Sequence, residues 1–181
     1  GGQGFIGINF INFLILNHKN IKIFNIDKLT YASNNIINKK KYKFFKGDIT
    51  NKKFIYEILS KNNVDTIVNF AAETHVDNSI KFPNLFFNSN LRGTYNLIET
   101  ANKYYQKNLD KLKKNFRFHQ ISTDEIYGSL KLKDKPFTEK NQYLPNSPYS
   151  ASKAGADHIV RSFYKTYQLP ITISACSNNY G

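Results

Sequence analysis

Methionine and tryptophan are absent from this sequence of 181 residues, and cysteine occurs once, at Cys176. A single cysteine excludes a disulfide framework and a thiolate zinc cluster, so the sequence predicts no metal site and a reducing, cytoplasmic compartment. The longest apolar run, 5–16, is interrupted by Asn9 and Asn12 and falls short of the ~20 residues of a membrane-spanning helix. We therefore expect no membrane partner. Because methionine is missing even at position 1, we expect an internal part of a longer protein.

Arginine is scarce as well: of the 26 basic residues, 23 are lysine and 3 are arginine. The net charge of +13 has the sign that nucleic-acid-binding proteins carry. Specific contacts to nucleic acid lean on arginine, however, and the lysines are spread over the whole chain instead of forming one stripe. The sequence thus predicts a solvated basic surface and no nucleic-acid partner. A basic, non-catalytic binding module is the alternative.

The spacing of the apolar residues alternates along the chain between a helical pattern and a β-strand pattern. Helical spacing covers 5–17, 52–61, 85–105 and 148–167, whereas β-prone runs cover 21–27, 43–49, 64–72, 117–122 and 171–175. Segment 107–115 is charged and is predicted to be an exposed connection, and 131–148 is rich in Lys, Pro and Asn and predicts a loop. Strands that alternate with helices predict βαβ units, and hence one α/β domain with a parallel sheet.

The chain opens on GGQGFIG, which contains two overlapping glycine patterns. Gly2, Gly4 and Gly7 form G-x-G-x-x-G, and Gly1 takes the first place in G-x-x-G-x-x-G. Glycines at these positions allow a tight turn, close approach of the backbone to a diphosphate, and close packing of helix on strand. Free N–H groups at the start of the following helix favour anions. The pattern predicts a dinucleotide site in a Rossmann-type doubly wound sheet, although the strand that should precede the loop is missing.

Two acids follow predicted strands at the spacing that such a site requires. Asp27 ends the strand after the loop, 20 residues beyond Gly7, where an acid accepts hydrogen bonds from an adenosine ribose. A carboxylate there repels the 2′-phosphate of NADP and favours NAD, whereas the neighbouring Lys28 leaves NADP open. Asp48 follows the next strand and is predicted to reach the adenine. The alternative for either acid is an ordinary turn residue.

The candidates for chemistry lie in two later segments. Tyr149 and Lys153 form Y-x-x-x-K on a predicted helix, where residues four apart share a face. An ammonium group near a phenol lowers the pKa of the phenol, so the pair predicts a general base; the alternative is a pair on an exposed helix surface. The stretch HQISTDEIYG places Thr123, Asp124 and Glu125 where a strand ends, at the edge where ligands bind; the alternative is a plain turn. Because adjacent strand residues face opposite ways, we expect the backbone to turn near Asp124.

Six segments in colinear order resemble one family over nearly the whole chain. They are GGQGFIG, IDKLTYAS, AAETHVDNSI, HQISTDEIYG, SPYSASKAGADHIVRSFYKTY and CSNNYG. They are similar to the extended branch of the short-chain dehydrogenase/reductase superfamily, and within it to the dTDP-glucose 4,6-dehydratase family. The resemblance implies a sheet of order 3-2-1-4-5-6 that binds NAD, and a C-terminal domain of ~150 residues that binds the nucleotide sugar. Residues 1–181 are then a partial NAD-binding domain that lacks its first strand and the substrate domain, and we expect it to be inactive alone.

The resemblance also implies a mechanism, in which Lys153 supports Tyr149 as base. Tyr149 would take the proton of the sugar's C4 hydroxyl while hydride leaves C4 for NAD, and Thr123 would hydrogen-bond that oxygen. Glu125 would then remove the C5 proton, Asp124 would protonate the departing C6 hydroxyl, and hydride would return to C6. For these steps Asp124 must be protonated when substrate binds, so its pKa is expected to be raised by burial or by Glu125.

Further contacts are implied by the same resemblance. The implied cofactor-binding residues are Gly1, Gly4, Phe5, Ile6, Gly7, Asp27, Lys28, Leu29, Thr30, Asp48, Ile49, Ala71, Ala72, Thr74, Ser89, Tyr149 and Lys153, and the implied substrate-binding residues are Thr74, Thr123 and Asn178. A homodimer is implied for the longer protein. Two alternatives within the branch are a UDP-sugar 4-epimerase, against which the paired acids argue, and a GDP-mannose 4,6-dehydratase, against which DKLTYA argues.

Overall fold

The computed structural model of the protein describes residues 1–30 and 41–180. Its strands are β1 (Ile23–Asp27), β2 (Tyr42–Lys46), β3 (Thr66–Asn69), β4 (Arg117–Thr123) and β5 (Ile171–Cys176). Its helices are α1 (Phe5–Asn17), α2 (Lys52–Asn62), α3 (Val76–Lys81), α4 (Pro83–Phe86), α5 (Gly93–Lys107), α6 (Leu109–Leu112) and α7 (Pro148–Tyr167), with a π-helical turn at Phe87–Arg92 and a 3₁₀ turn at Asp124–Tyr127. Within the described ranges, no helix combines the length and the apolar character needed to cross a membrane.

The described strands form two parallel sheets. β1 pairs with β2, and β3, β4 and β5 pair in that order. The carboxyl ends of both sheets meet at the glycine loop. The backbone nitrogen of Gly1 donates a 2.5 Å hydrogen bond to the Ile26 carbonyl of β1, and Gly1 lies directly against the backbone of Ala71, just beyond β3. Parallel strands joined through helices confirm the predicted Rossmann-type α/β class. All five predicted strands are present, and their ends lie within three residues of the predicted ends.

The core lies between the three-stranded sheet and the helices α5 and α7. Phe118 of β4 is fully buried, as are Ile98 of α5 and Val160 of α7, and the three belong to one apolar cluster. Helix α2 extends this cluster through Ile55. Full burial of a large apolar side chain contributes about 1.5–3 kcal/mol relative to exposure. The cluster therefore holds α7 against β4, which places the start of α7 beside the end of that strand.

The helical spacing of 85–105 predicts one long helix with Leu91, Tyr95 and Ile98 on one side. The backbone is helical throughout this range, as α4, the π-helical turn and α5 in direct succession, and the even spacing does not predict the π-helical turn. Ile98 is buried, whereas Tyr95 is 39% exposed. A π turn inserts an extra residue into the helical repeat, so Leu91 within the turn is rotated relative to Tyr95 and Ile98, which both lie in α5. The turn also carries Asn90, whose side chain is buried.

The two predicted connections differ in outcome. The segment 131–147 contains no helix or strand, as predicted, and it runs directly into α7. The segment 107–115 is predicted to be an exposed connection; most of its residues are exposed, but Leu112 is buried in the helical turn α6. The reason is that Leu112 joins the same apolar cluster as Phe116, the residue that leads into β4.

Candidate active site

A cleft of about 600 Å³ opens at the carboxyl ends of β1, β3, β4 and β5, a size that suits cofactors and drug-sized ligands. The predicted site residues that line it are Gly1, Gly4, Phe5, Ile6, Gly7, Asp27, Lys28, Thr30, Asp48, Ile49, Ala71, Ala72, Thr74, Ser89, Thr123, Glu125, Tyr149, Lys153 and Asn178. Leu29 and Asp124 are described but do not line the cleft. The fold thus brings residues from the beginning, middle and end of the chain to one place.

The geometry of the glycine loop leaves room for a diphosphate. A Cβ on Gly7 would lie 2.7 Å from Gly2 Cα and 2.8 Å from the Gly1 carbonyl oxygen, so only glycine permits this turn. Gly4 differs, because its nearest neighbour would be the Gly1 oxygen at an ordinary 3.5 Å and the cleft lies beyond. Helix α1 begins at Phe5, and among the described residues no side chain caps it. Its first N–H groups are therefore available to an anion.

Asp27 is held by two backbone donors. Its carboxylate accepts a 3.0 Å hydrogen bond from Gln3 N and a 2.8 Å bond from Leu29 N. Leu29 has the left-handed φ of 59°, and it acts through its backbone, which agrees with its side chain lying outside the cleft lining. The hydrogen bond from Leu29 N is typical of an acidic residue in a turn. The hydrogen bond from Gln3 N connects Asp27 to the glycine loop. Within the quoted motifs, residues 31–33 and Gly181 lie outside the described residues.

Tyr149 and Lys153 lie one turn apart near the start of α7, and both are buried. Lys153 Nζ donates a 2.6 Å hydrogen bond to the Ile121 carbonyl of β4. Burial lowers the pKa of Lys153 to about 8, against the opposing charge of Asp157. Burial raises the pKa of Tyr149, and a hydrogen bond with Thr123 opposes the rise. The sequence predicts that Lys153 lowers the pKa of Tyr149; in the structure desolvation of the buried phenol is the largest effect, and the pKa of Tyr149 is raised.

The backbone turns where β4 ends, as predicted. Thr123 closes the strand, and its hydroxyl accepts a 3.3 Å hydrogen bond from Glu125 N, which caps the 3₁₀ turn. Gly128, at a φ of 98°, ends the turn. Glu125 and Thr123 consequently line the cleft together. Burial raises the pKa of Glu125, and the charge of Asp124 adds to the rise. A carboxylate with a raised pKa holds an abstracted proton more firmly, which suits a general base.

Sequence patterns alone miss two polar residues of this region. Glu73 lines the cleft, and its carboxylate lies 3.3 Å from the Lys28 ammonium. Asp157 is buried and accepts a 2.5 Å hydrogen bond from the Ser122 hydroxyl. The sequence does carry a signal for Asp157, since it stands four residues after Lys153 and so on the same helix face. Glu73 has no such signal, because its partner lies on a strand end far away in sequence.

A family model described as GDP-mannose 4,6 dehydratase matches residues 1–181. The chain belongs to this family. Among the curated members of this dehydratase family, the dTDP-glucose 4,6-dehydratase of Haemophilus influenzae is 47% identical over 187 residues, which cover all of the chain and 55% of that protein. The chain therefore spans about half the length of the curated relatives that it matches.

Solved structures of dehydratases agree with the fold. The dTDP-glucose 4,6-dehydratase of Bacillus anthracis, in complex with NAD, is 42% identical with a TM-score of 0.85 and is matched over all of this chain and 54% of that one. The enzyme of Streptomyces venezuelae, with NAD and TYD bound, is 36% identical with a TM-score of 0.89, over all of this chain and 55% of that one. Both likenesses confirm the resemblance that the six motifs indicated.

Proposed function

We propose that the full-length protein is an NAD-dependent nucleotide-sugar 4,6-dehydratase that converts dTDP-glucose to dTDP-4-keto-6-deoxyglucose with loss of water. The observation that carries the proposal is the convergence of Thr123, Glu125 and Tyr149 on the same cleft as the glycine loop. Oxidation of a hydroxyl needs a base beside the carbon, and elimination of water needs a carboxylate at the next carbon. The relatives that share these motifs are named for dTDP-glucose, which supports the choice of substrate.

The residues present fit NAD. Gly4 and the first turn of α1 offer backbone N–H groups to the diphosphate, and the carboxylate of Asp27 is placed to accept hydrogen bonds from a ribose. Asp48, whose carboxylate accepts a 2.8 Å hydrogen bond from Thr50 N, would border the adenine. When bound, NAD supplies the hydride acceptor for C4 and the hydride donor for C6.

The side chains of this chain would perform the proton transfers. Tyr149 would accept the proton of the C4 hydroxyl, whose oxygen Thr123 would hydrogen-bond. The resulting 4-keto group acidifies C5, and Glu125 would remove that proton. Asp124 would donate a proton to the C6 oxygen, which leaves as water, so one proton is taken and one is given. Because Asp124 stands at the start of the 3₁₀ turn and does not line the cleft, its side chain must rotate toward the substrate for this step.

A second candidate is a GDP-mannose 4,6-dehydratase, which the description of the matching family model favours. It would use the same proton transfers on another nucleotide sugar, so the residues of the cleft do not discriminate between the two. A 4-epimerase is less well supported, because inversion at C4 removes no water and has no use for the raised pKa of Glu125.

Residues 1–181 would supply most of the NAD-binding domain, and a separate domain of the full-length protein would bind the nucleotide sugar. We place the protein in the cytoplasm on its single cysteine. We further propose a homodimer, because Tyr95 of α5 and Tyr164 and Tyr167 of α7 expose 39%, 43% and 49% of their surface on neighbouring helices. A monomeric mass in light scattering would contradict the dimer without affecting the assigned chemistry.

The test is incubation of the full-length protein with dTDP-glucose, and separately with GDP-mannose, without added cofactor. We expect the product of dTDP-glucose to weigh one water less, with no net formation of NADH. An unchanged mass with inversion at C4 would identify an epimerase. Loss of water from GDP-mannose alone would select the second candidate. Tyr149→Phe should convert either substrate at least about 100-fold more slowly.

A further inference from the structure

The lining of the cleft is acidic although the chain is basic. With a net charge of +13, the chain attracts anions of any kind, so a choice between two anionic dinucleotides must be made locally. Among the described lining residues, the carboxylates are Asp27, Asp48, Glu73 and Glu125, and the lysines are Lys28 and Lys153. Lys153 is bound to the Ile121 carbonyl at the catalytic end. Within this described lining, Lys28 is the one lysine or arginine beside Asp27.

Lys28 is paired across the mouth of the cleft. Its Nζ lies 3.3 Å from Oε1 of Glu73, and the two side chains are 42% and 17% exposed. Lys28 follows β1 and Glu73 follows β3, so the ion pair joins the two sheets at their carboxyl ends. Because the carboxylate is largely withdrawn from water, the attraction is screened less than it would be between two fully exposed groups.

Glu73 is the anchored partner of this ion pair. The side chain of Asn90 accepts a 2.8 Å hydrogen bond from Glu73 N and donates a 3.0 Å bond to Glu73 O. The same amide donates a 2.9 Å bond to Ser152 Oγ of α7. Asn90 lies in the π-helical turn, which thereby clamps the backbone of Glu73 and fixes it to the helix that carries Tyr149. The backbone of Glu73 is thus held in place, and the longer, more exposed Lys28 side chain reaches its carboxylate.

We propose that Glu73 is a specificity-determining residue, which engages Lys28 and so prevents it from attracting the 2′-phosphate of NADP. The inference rests on the proposed function, since it presupposes a dinucleotide in this cleft with its ribose at Asp27. A free Lys28 ammonium would offset the charge of Asp27 and remove most of its repulsion toward an added phosphate. With Glu73 in place, the three groups together carry one negative charge, which disfavours an added 2′-phosphate.

The test compares binding of NAD and NADP to the full-length protein freed of bound nucleotide, by calorimetry at low ionic strength. In Glu73→Gln, which keeps the shape of the side chain and the backbone clamp, we expect the affinity for NADP relative to NAD to rise about threefold to tenfold. Adding Lys28→Gln should abolish that gain. The matched control is Glu57→Gln, which frees Lys61 from its 3.4 Å ion pair on α2, changes the net charge equally, and should leave the ratio unaltered.

The ratio of two affinities within one variant is insensitive to the fraction of protein that is folded. An unchanged ratio in Glu73→Gln, or an equal change in Glu57→Gln, would overturn the inference. So would a gain that persists in the double variant, because the freed charge would then not be that of Lys28. If the unaltered protein binds NAD and only the ratio fails to move, the proposed function stands without this inference; if it binds neither dinucleotide, both fall.

Discussion

The Ser122 hydroxyl donates a 2.5 Å hydrogen bond to Oδ2 of Asp157, and both side chains are buried between β4 and α7. One turn earlier on α7, Lys153 donates to the carbonyl of Ile121, the residue before Ser122. An acid and a base of the same helix therefore hold two consecutive residues of β4. Since Thr123 follows directly, these two contacts set the position of α7 relative to the reactive end of the strand.

Asp157→Asn is expected to change how stability depends on pH. Burial raises the pKa of Asp157 from 3.8 to about 6, although Ser122 and Lys153 oppose the rise. Between about pH 4 and 6 the folded state holds a proton that the unfolded state has released, so stability falls as pH rises through that window. In Asp157→Asn, this pH-dependent loss of unfolding free energy should be smaller by up to ~3 kcal/mol. Denaturant unfolding of the full-length protein measures it. Exposed Asp110→Asn is the control, and equal slopes for both variants would contradict the raised pKa.

Alanine at two glycines should separate folding from cofactor binding. Gly7→Ala is expected to cost about 2 kcal/mol or more of stability, because its Cβ would lie 2.7 Å from Gly2 Cα and 2.8 Å from the Gly1 carbonyl oxygen. Gly4→Ala should change stability by less than about 0.5 kcal/mol and still weaken NAD binding, since its Cβ would point into the cleft. Thermal unfolding without NAD and calorimetry with NAD measure the two effects. Normal NAD affinity in Gly4→Ala would place the diphosphate elsewhere.

Glu125→Gln should stop the elimination and spare the oxidation. We expect loss of water from dTDP-glucose to slow about 100-fold to 10,000-fold, with accumulation of reduced nicotinamide visible by its absorbance. In the unaltered protein, activity should fall as pH drops through a Glu125 pKa that lies above the ordinary glutamate value, because the base must be ionised. Glu57→Gln on α2 serves as the control. Dehydration at the normal rate would show that another group removes the C5 proton.

Tyr149→Phe should abolish the first proton transfer and preserve the packing. The ring of Tyr149 contacts Phe86 edge-to-face at 6.3 Å, which phenylalanine can reproduce. We expect a rate loss of about 100-fold to 10,000-fold. In the unaltered protein the rate should rise with pH, because burial raises the pKa of Tyr149. Tyr104→Phe, in the core, is the matched change, and an equal loss there would mean a structural effect.

Local signals explain why much of the fold was predictable. Helix α7 begins at the predicted residue because Ser147 and Ser150 form a capping box and Pro148 takes the first helical position. Helix α1 begins where the glycine loop ends. The π-helical turn was not predictable, since the contacts of Asn90 that accompany it are to Glu73 and Ser152, residues distant in sequence.

The order of strands and helices, and the chemical groups at the strand ends, can be predicted from the amino-acid sequence. Apolar period, glycine spacing and helix caps are properties of neighbouring residues, so they can be read along the chain. Which charged groups pair, and in which direction burial shifts their pKa values, depends on the packed fold. Lys28 forms an ion pair with Glu73. Desolvation lowers the pKa of Lys153 and raises the pKa of Tyr149. Charge pairing and burial depend on segments that only the packed fold brings together, and no local pattern encodes them.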